Sequence, residues 1–403
     1  MSVLARLLDE YSRLCDSSEN RRRLALWETT DAGLRGETQW HGVPNYTADT
    51  GRPMPVTAEC LEKMWEPVLG MDLLRFYTEP DYYLEYFLRY KALKFRRLAD
   101  DTPLTRDIPM CFGVTNEAAM LGQGVRLLPG MEPQLASTVV LDETTDLPSA
   151  IDFSRNAFLV TTAIPFYERI RQRVGHEFHV MFPQWYRGPQ GVALYLRGFE
   201  NFSVDMYENE RFAHRLLRYV TDAAQQFARW RAEYTGERIV RCDLFNDDVP
   251  LMSPRSYAAF FRPYEQELSD FHGGIWYWHS CGDITAHVAE IRKLPGIQLL
   301  DFGVSMEDKA EGLKRLRAAA GGAQSPRAVE FRIMAQRHVQ EASEEEQKAY
   351  VRHVLQACQD YGIARYVLRS SGMSLLLGGE ADLAKLARWV EVVREVQAEE
   401  ARR

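Results

Sequence analysis

The sequence predicts a (β/α)8 barrel preceded by a helical and loop-rich extension. From about Arg106 onward, short apolar runs alternate with longer amphipathic stretches, the pattern of parallel strands joined by helices. Seven strand candidates and one weaker candidate suit an eight-stranded barrel better than a short open sheet. No GxGxxG motif follows the first strand and no GxxxxGK motif precedes Ser or Thr, so dinucleotide-binding and P-loop folds lose support. We therefore assign residues 1–105 to an extension packed on a barrel of residues 106–403, within one structural domain.

The extension contains three predicted helices and one long loop. The helices are expected over Ser2–Leu14, Ala58–Val68 and Tyr82–Leu98. A segment rich in Gly, Pro, Asn and Thr, from about Gly33 to Pro55, predicts the loop.

The barrel segment divides into strands and helices in alternation. The strand candidates are, in chain order, IPMCFGV, FHVMFPQW, RIVRCDLF, GGIWYWHSCG, IQLLDFGV, RAVEFRIM and ARYVLRSSG. The helix candidates are AIDFSRNAFLVTTAIPFYERIRQRVG, ENERFAHRLLRYVTDAAQQFARWRAEYTG, SPRSYAAFFRPYEQELSDFHGG, DITAHVAEIRKL, KAEGLKRLRAAAGG, SEEEQKAYVRHVLQACQDYG and EADLAKLARWVEVVREVQAEE. Residues that favour helix ends support several of them, at Ser253–Pro254, Ser343 with Glu346, Gly236, Gly273 and Gly362.

The composition is that of an ordinary globular chain. The 403 residues include 49 Lys and Arg against 57 Asp and Glu, a formal net charge of −8, and 46% are hydrophobic. These values exclude a disordered chain, a collagen-like repeat and a coiled-coil rod. The mild acidity predicts no general attraction to nucleic acid or anionic lipid, and no apolar run reaches the roughly 20 residues of a membrane helix. The six cysteines are scattered, so we expect a cytoplasmic protein with reduced thiols.

The strand Gly274–Cys281 carries the sharpest chemical signal. Side chains alternate along a strand, so Tyr277, His279 and Cys281 face one way. His279 and Cys281 end the strand, and the carboxyl ends of barrel strands form the active-site face. An imidazole and a thiolate two residues apart suit a tetrahedral zinc ion. The same spacing fits a barrel-core histidine beside a buried cysteine, and spacing alone leaves both interpretations open.

A second strand end is acidic. Asp243, Asp247 and Asp248 lie within six residues and would repel one another if they were buried without partners. They could exchange protons with a substrate, or bind a cationic or hydroxylated ligand. The alternative is a solvated acidic loop that includes a helix N-cap.

Arg197 is a candidate for anion binding, because a guanidinium can anchor a carboxylate or phosphate. The alternative is a structural ion pair with Glu200 or Asp205.

Three segments together resemble the uroporphyrinogen decarboxylase superfamily. They are GPQGVALYLRGFENFSVDMYENERFAHRLLRYVTDAA, DLFNDDVPLMSPRSYAAFFRPYEQEL and WHSCGDI. The similarity runs from about Gly175 to the C-terminus, a little over half of the chain, and the combination is more specific than any one piece. The resemblance implies a (β/α)8 barrel, in agreement with the strand–helix pattern.

Two branches of that superfamily are relevant. One decarboxylates uroporphyrinogen without a cofactor and carries an RxAGRY loop, but the run Arg21–Arg23 lacks the Ala-Gly-Arg pattern. The other contains zinc methyltransferases that work with corrinoid proteins or folates, and its HxCG motif matches His279–Gly282. The resemblance therefore implies zinc at His279 and Cys281, where the metal would lower the pKa of a thiol acceptor.

The chain departs from that branch at the third zinc ligand. The branch usually has a second Cys in a Gly-Cys-Gly turn after the last strand, but Leu368–Met373 contains none. We assign Asp301, at the end of the next strand, as the third ligand; Cys242, Asp243 and the absence of zinc are the alternatives. The family's usual Gly-Asn pair is also replaced, near Arg332, which would suit an acidic substrate if it pointed inward.

The predicted function is zinc-dependent methyl transfer between a thiol, alcohol, aryl ether or folate and a corrinoid protein. The cobalamin would belong to a separate protein, because no DxHxxG signature occurs, and a homodimer is compatible with the resemblance. The alternatives are a cofactor-free decarboxylase or lyase and a non-catalytic accessory barrel. The assigned residues are Asp243, Asp247 and Asp248 for catalysis, Arg197, Tyr277, Asn246 and Arg332 for substrate binding, and His279, Cys281 and Asp301 for zinc.

Overall fold

The structure is a computed structural model that describes residues 2–28, 40–45, 54–110, 112–136, 141–302, 309–318, 326–373 and 375–402. Cys111, most of the predicted loop from Gly33 to Pro55, and the end of the helix candidate KAEGLKRLRAAAGG lie outside the described residues.

Eight parallel strands form the barrel, which confirms the predicted fold class. They are β1 Val56–Cys60, β2 Asp107–Pro109, β3 His179–Met181, β4 Cys242–Phe245, β5 Ile275–His279, β6 Leu299–Asp301, β7 Ala328–Ile333 and β8 Tyr366–Met373. Six of them form one sheet in the order β1-β8-β7-β6-β5-β4, and β2 pairs with β3. A backbone bridge from Arg187 to Phe245 joins the segment after β3 to β4.

Helices surround the strands, and the first two of them precede β1 in the chain. The helices are α1 Val3–Cys15, α2 Ser18–Leu24, α3 Trp65–Leu69, α4 Leu73–Thr78, α5 Pro80–Arg97, α6 Asn116–Met120, α7 Ile164–Val174, α8 Pro189–Arg197, α9 Phe199–Glu208, α10 Glu210–Thr235, α11 Pro254–Ser256, α12 Arg262–His272, α13 Val288–Ile291, α14 Lys309–Ala318, α15 Glu344–Asp360 and α16 Glu380–Glu400. No helix among the described residues is long and apolar enough to cross a lipid bilayer.

The predicted helix ends are confirmed where the caps are local. The Ser253 side chain accepts from the Ser256 amide, and Ser343 with Glu346 forms the complete capping box. Gly236 and Gly273 end α10 and α12 in the left-handed conformation.

The predicted helix over Ala58–Val68 is wrong at its start. Residues Val56–Cys60 form β1, which is buried throughout and pairs in parallel with β8. Helical turns follow only at Glu62–Met64 and in α3. The local pattern did not reveal this strand, because pairing with a strand about 310 residues later stabilises it. The barrel therefore includes residues of the segment assigned to the extension.

The N-terminal segment closes one end of the barrel. Trp27 and Pro44 form an antiparallel bridge, and Val43 packs against Leu299 and Ala328. Glu28 accepts hydrogen bonds from Arg327 at 2.8 Å and Arg365 at 2.6 Å, the residues just before β7 and β8. The end that these residues close is the amino-terminal end of the strands, so the carboxyl ends remain for a functional site.

A buried carboxyl group connects β5 to its covering helix. The Glu265 carboxylate on α12 accepts hydrogen bonds from Trp278 Nε1 at 3.0 Å and from the Tyr257 hydroxyl at 2.7 Å. Burial raises the pKa of Glu265 from 4.5 to about 7, although both hydrogen bonds and Arg262 act to lower it. The folded-state pKa of Glu265 lies above the unfolded value. Ionisation of this carboxyl therefore lowers the free energy of unfolding of the protein as the pH rises from about 4.5 to 7.

Glu265→Gln should therefore stabilise the protein at high pH. At pH 4 the two proteins should have similar free energies of unfolding, because the wild-type carboxyl is then mostly protonated in both the folded and the unfolded state. At pH 8.5 the variant should be more stable by up to about 3 kcal/mol, measured by urea unfolding at both pH values.

Glu267→Gln, on the same helix, is the matched control. The partly exposed Glu267 is paired with Arg218, which lowers the pKa of the carboxyl, so its substitution should lower stability slightly at pH 8.5. If Glu265→Gln destabilised the protein equally at both pH values, the raised pKa of Glu265 would be refuted.

Candidate metal centre

Three potential metal ligands meet at the carboxyl ends of β4 and β5. Asp247 follows β4 by two residues, His279 ends β5, and Cys281 follows it by two residues. One ligand atom from each residue lies within 4.8 Å of those from the other two. His279 is buried, Asp247 is partly buried and Cys281 is exposed, so the group faces outward from the barrel interior.

The spacing of these atoms is close to that of a tetrahedral zinc site. Bond lengths of about 2.0–2.3 Å put two ligand atoms roughly 3.4–3.6 Å apart across a tetrahedral angle. The Cys281 Sγ lies 3.5 Å from His279 Nε2, and Asp247 Oδ1 lies 3.1 Å from the same nitrogen. An imidazole, a thiolate and a carboxylate are all zinc ligands, and three of them leave one position open.

The opposite nitrogen of His279 is held from inside the barrel. Asp301 Oδ2, at the end of β6, lies 2.5 Å from His279 Nδ1. Asp301 also pairs with Arg332, whose Nε is 2.8 Å from Oδ2. A carboxylate on Nδ1 fixes the ring orientation and leaves Nε2 for a metal, the usual support of a metal-binding histidine.

The charges of this group depend on one another. Burial and the Arg332 charge act to lower the pKa of His279, but Asp301 and Asp247 outweigh them and raise it. Burial acts to raise the pKa of Asp247, yet His279 and then Arg187 hold it well below its usual range. The two carboxylates thus favour a positive charge on the ring of His279, and a metal cation could supply that charge in place of the proton on Nε2.

A glycine allows the two strand ends to approach. A Cβ atom at Gly282 would lie 2.6 Å from Pro250, which follows Asp247 in the same loop. The backbone amide of Cys281 also donates to Asp247 Oδ1 at 3.0 Å. The close contact of the two loops brings the carboxylate to the histidine.

The predicted residues are divided between this group and its surroundings. His279 and Cys281 lie together, but Asp247 and not Asp301 occupies the Nε2 side. Asp243 is buried inside β4, its Oδ1 has no partner among the described residues, and burial raises the pKa of its carboxyl well above the usual value. Cys242 contacts the carbonyl of Gly274 at 3.7 Å, away from the group.

The remaining predicted residues have different partners. The Arg197 guanidinium pairs with Asp205 at 2.6 Å, which is the structural alternative considered for it. The buried Asn246 side chain accepts from Gln190. The inward-pointing Arg332 donates to the Ser280 carbonyl at 2.5 Å and lies 4.0 Å from the Cys281 sulfur.

Several charged residues of the site were not predicted. Arg187 is buried, with Nη2 3.5 Å from Asp247 and Nη1 3.8 Å from Asp248. Burial raises the pKa of Asp248, against the effect of Arg187. Below His279, the interior of the barrel also contains Glu330 and Arg369, paired at 2.8 Å. The sequence shows charged residues next to apolar ones in both strands, as EFR at 330–332 in β7 and LRS at 368–370 in β8. It does not show that the side chains of Glu330 and Arg369 point into the barrel.

Comparison with known proteins identifies related sequences and folds. The sequence profile of the family "Uroporphyrinogen decarboxylase (URO-D)" matches residues 107–396. A solved methyltransferase from Methanosarcina mazei matches the structure with a TM-score of 0.57 and 16% sequence identity, over 86% of this chain and 94% of that chain. No curated protein shows a significant match to the sequence.

Cys281 should be the first of the described cysteines to react with iodoacetamide, because it alone among them is exposed. Peptide mass spectrometry would identify the modified residue, and excess Zn²⁺ should slow its alkylation. Cys281→Ala is the control that should leave the buried cysteines unmodified over the same time. Rapid alkylation of a buried cysteine, or no protection of Cys281 by Zn²⁺, would contradict this description of the site.

Proposed function

The chain belongs to the uroporphyrinogen decarboxylase family, and from that premise we propose that it is a zinc-dependent methyltransferase. The reaction would move a methyl group between a small molecule and a corrinoid carried by a separate protein. The observation that carries this proposal is the convergence of His279, Cys281 and Asp247 within 4.8 Å at the strand ends. The fold neighbour from Methanosarcina mazei is named for the same class of reaction, which supports the choice.

His279, Cys281 and Asp247 would hold the zinc. When bound, the metal would lower the pKa of a thiol substrate so that the thiolate is the reactive form. Two anionic donors and one neutral imidazole would balance the charge of Zn²⁺ and leave one position for the substrate sulfur. Asp247 therefore takes the place that the second cysteine holds in related enzymes.

The surrounding residues would orient the ligands and the substrate. Asp301 holds His279 Nδ1, and Arg332 is fixed by Asp301 and by the Ser280 carbonyl beside Cys281. Phe245 contributes an apolar wall, since its ring centroid lies 4.7 Å from that of His279 and its side chain is partly exposed. Arg187 holds Asp247 and Asp248 on the other side.

Cofactor-free decarboxylation is the second candidate function, because the environment of Asp248 suits a proton donor. Its pKa is raised by burial, and the Arg187 guanidinium lies 3.8 Å away. A protonated carboxyl beside a cation could donate a proton to a carbanion while the cation bound a carboxylate. Metal dependence separates the two candidates.

Zinc content tests the ligand set. Protein purified without chelator should contain about one zinc per chain, and Cys281→Ala and His279→Ala should lose it. Asp247→Ala should weaken Zn²⁺ binding in a chelator competition, whereas Asp247→Cys should bind Zn²⁺ and show stronger sulfur-to-metal charge-transfer absorption with Co²⁺. Asp248→Asn is the matched control and should keep wild-type zinc content. Full zinc content in Asp247→Ala would remove Asp247 from the set.

Methyl transfer is tested directly with methylcobalamin and a panel of thiols. In the assayed reaction an S–C bond replaces the Co–C bond, the Co–C electron pair stays on cobalt, and the thiol proton is released. The zinc-loaded protein should bleach the methylcobalamin spectrum and yield a methylated thiol, and Cys281→Ala should not. Wild-type zinc content without transfer to any thiol, from methylcobalamin or a methylated corrinoid protein, would sink the methyltransferase proposal.

A further inference from the structure

A histidine from the N-terminal segment lies inside the barrel. His41 is 1% exposed, and its ring stacks on that of Tyr277 with a centroid separation of 3.8 Å and an angle of 19°. Its Nδ1 lies 3.3 Å from Glu330 Oε2, and its carbonyl accepts from Trp276 Nε1 at 2.8 Å. The segment 40–45 thus holds this ring in one position, although it belongs to no strand of the barrel.

Tyr277 connects that ring to the candidate metal ligand. Its hydroxyl donates to Glu330 Oε1 at 2.6 Å and accepts from Arg369 Nη2 at 3.2 Å. The same oxygen lies 3.3 Å from His279 Nδ1. Because its proton is directed at Glu330, a lone pair of the Tyr277 oxygen can accept the N–H of His279 alongside Asp301.

The charged residues around Tyr277 are costly to bury, which argues against a role in packing alone. Glu59, Glu330 and Arg369 are all buried, with Arg369 Nη1 2.6 Å from Glu59 and Nε 2.8 Å from Glu330. Barrel interiors are usually filled by Val, Ile and Leu, and a well-packed apolar layer is often as stable as a buried ion pair. A charged layer that ends on the Nδ1 atom of a histidine instead fixes the orientation of that ring.

We propose that His41 and Tyr277 are positioning residues for His279, so that the N-terminal segment 40–45 is part of the functional site. Neither residue supplies a ligand atom: the Tyr277 hydroxyl contacts His279 on its Nδ1 side, and His41 acts through Tyr277. Stacking by His41 holds Tyr277, and the Tyr277 hydroxyl helps to keep the proton on Nδ1, which leaves Nε2 for Asp247 and Cys281. The metal consequence of this inference rests on the proposed function, but the orientation of His279 does not.

The first test measures metal affinity with Co²⁺ alone, by its visible absorption in competition with a chelator. Tyr277→Phe should weaken Co²⁺ binding about 10- to 100-fold and alter the spectrum, as the loss of a supporting hydrogen bond does at other metal sites. His41→Phe keeps an aromatic ring for stacking and should have a smaller effect in the same direction. Tyr83→Phe is the matched control, because Tyr83 is equally buried and donates to the Pro109 carbonyl, far along the chain from His279.

The second test needs no metal. In protein labelled with ¹⁵N-histidine, the ring-nitrogen signals of His279 can be assigned among the nine histidines by their loss in His279→Gln. Tyr277→Phe should shift the His279 Nδ1 signal and Tyr83→Phe should not. Unchanged His279 signals in Tyr277→Phe and His41→Phe would overturn the inference, even if the wild type bound Co²⁺ normally. A wild type that bound no Co²⁺ while Tyr277→Phe shifted the signal would refute the metal site and leave the positioning role standing.

Discussion

The contact between Asp301 and His279 organises the rest of the site. Asp301 is fully buried and lies between an imidazole nitrogen at 2.5 Å and the Arg332 guanidinium at 2.8 Å. A carboxylate in this environment is stable only if both partners remain in place, since an unpaired buried charge is costly. His279 therefore has one accessible nitrogen, and that nitrogen faces the mouth of the barrel. This constraint directs Nε2 of His279 toward Cys281 and Asp247, so the three side chains can act as one ligand group.

The two ends of the barrel have different compositions for a physical reason. At the amino-terminal end, Val43, Leu299 and Ala328 form an apolar layer that is covered by the N-terminal segment and fixed by Glu28. Toward the carboxyl ends the interior becomes charged. Apolar closure at one end supplies stability, whereas the charged layers orient the side chains of the candidate site. The placement follows the usual polarity of (β/α)8 barrels.

In the proposed zinc site, Asp247 would stand in for the second cysteine that the family resemblance implies, and the chemistry of a bound metal would differ accordingly. A carboxylate is a harder ligand than a thiolate, and it donates less electron density to zinc. Asp247 also comes from the loop after β4 rather than from the segment Leu368–Met373, which lies within β8 and in which Ser371 accepts a hydrogen bond from the amide of Ala335. The open side of such a site would face a different part of the rim than in a site whose third ligand came from the last strand.

Local patterns in the sequence determined the class of fold and one pair of site residues. Alternation along the predicted strand Gly274–Cys281 places His279 and Cys281 on one face, and the two residues stay together in the structure although β5 ends at His279. Apolar runs and capping residues similarly predicted seven of the strands and most helices. The strand at Val56–Cys60 was missed because it is stabilised by a partner distant in sequence, and the predicted helix began inside it, at Ala58.

Only the tertiary structure decided which carboxylate stands on which side of His279. Asp247 follows β4 and Asp301 ends β6, and both strands neighbour β5, so the sequence permits either carboxylate as a ligand. The path of the loop after β4 brings Asp247 to Nε2, whereas the end of β6 places Asp301 against Nδ1. The same holds for His41, whose place beside Tyr277 depends on how a segment outside the strands packs into the barrel. Such contacts join residues distant in the chain, and no local periodicity encodes them.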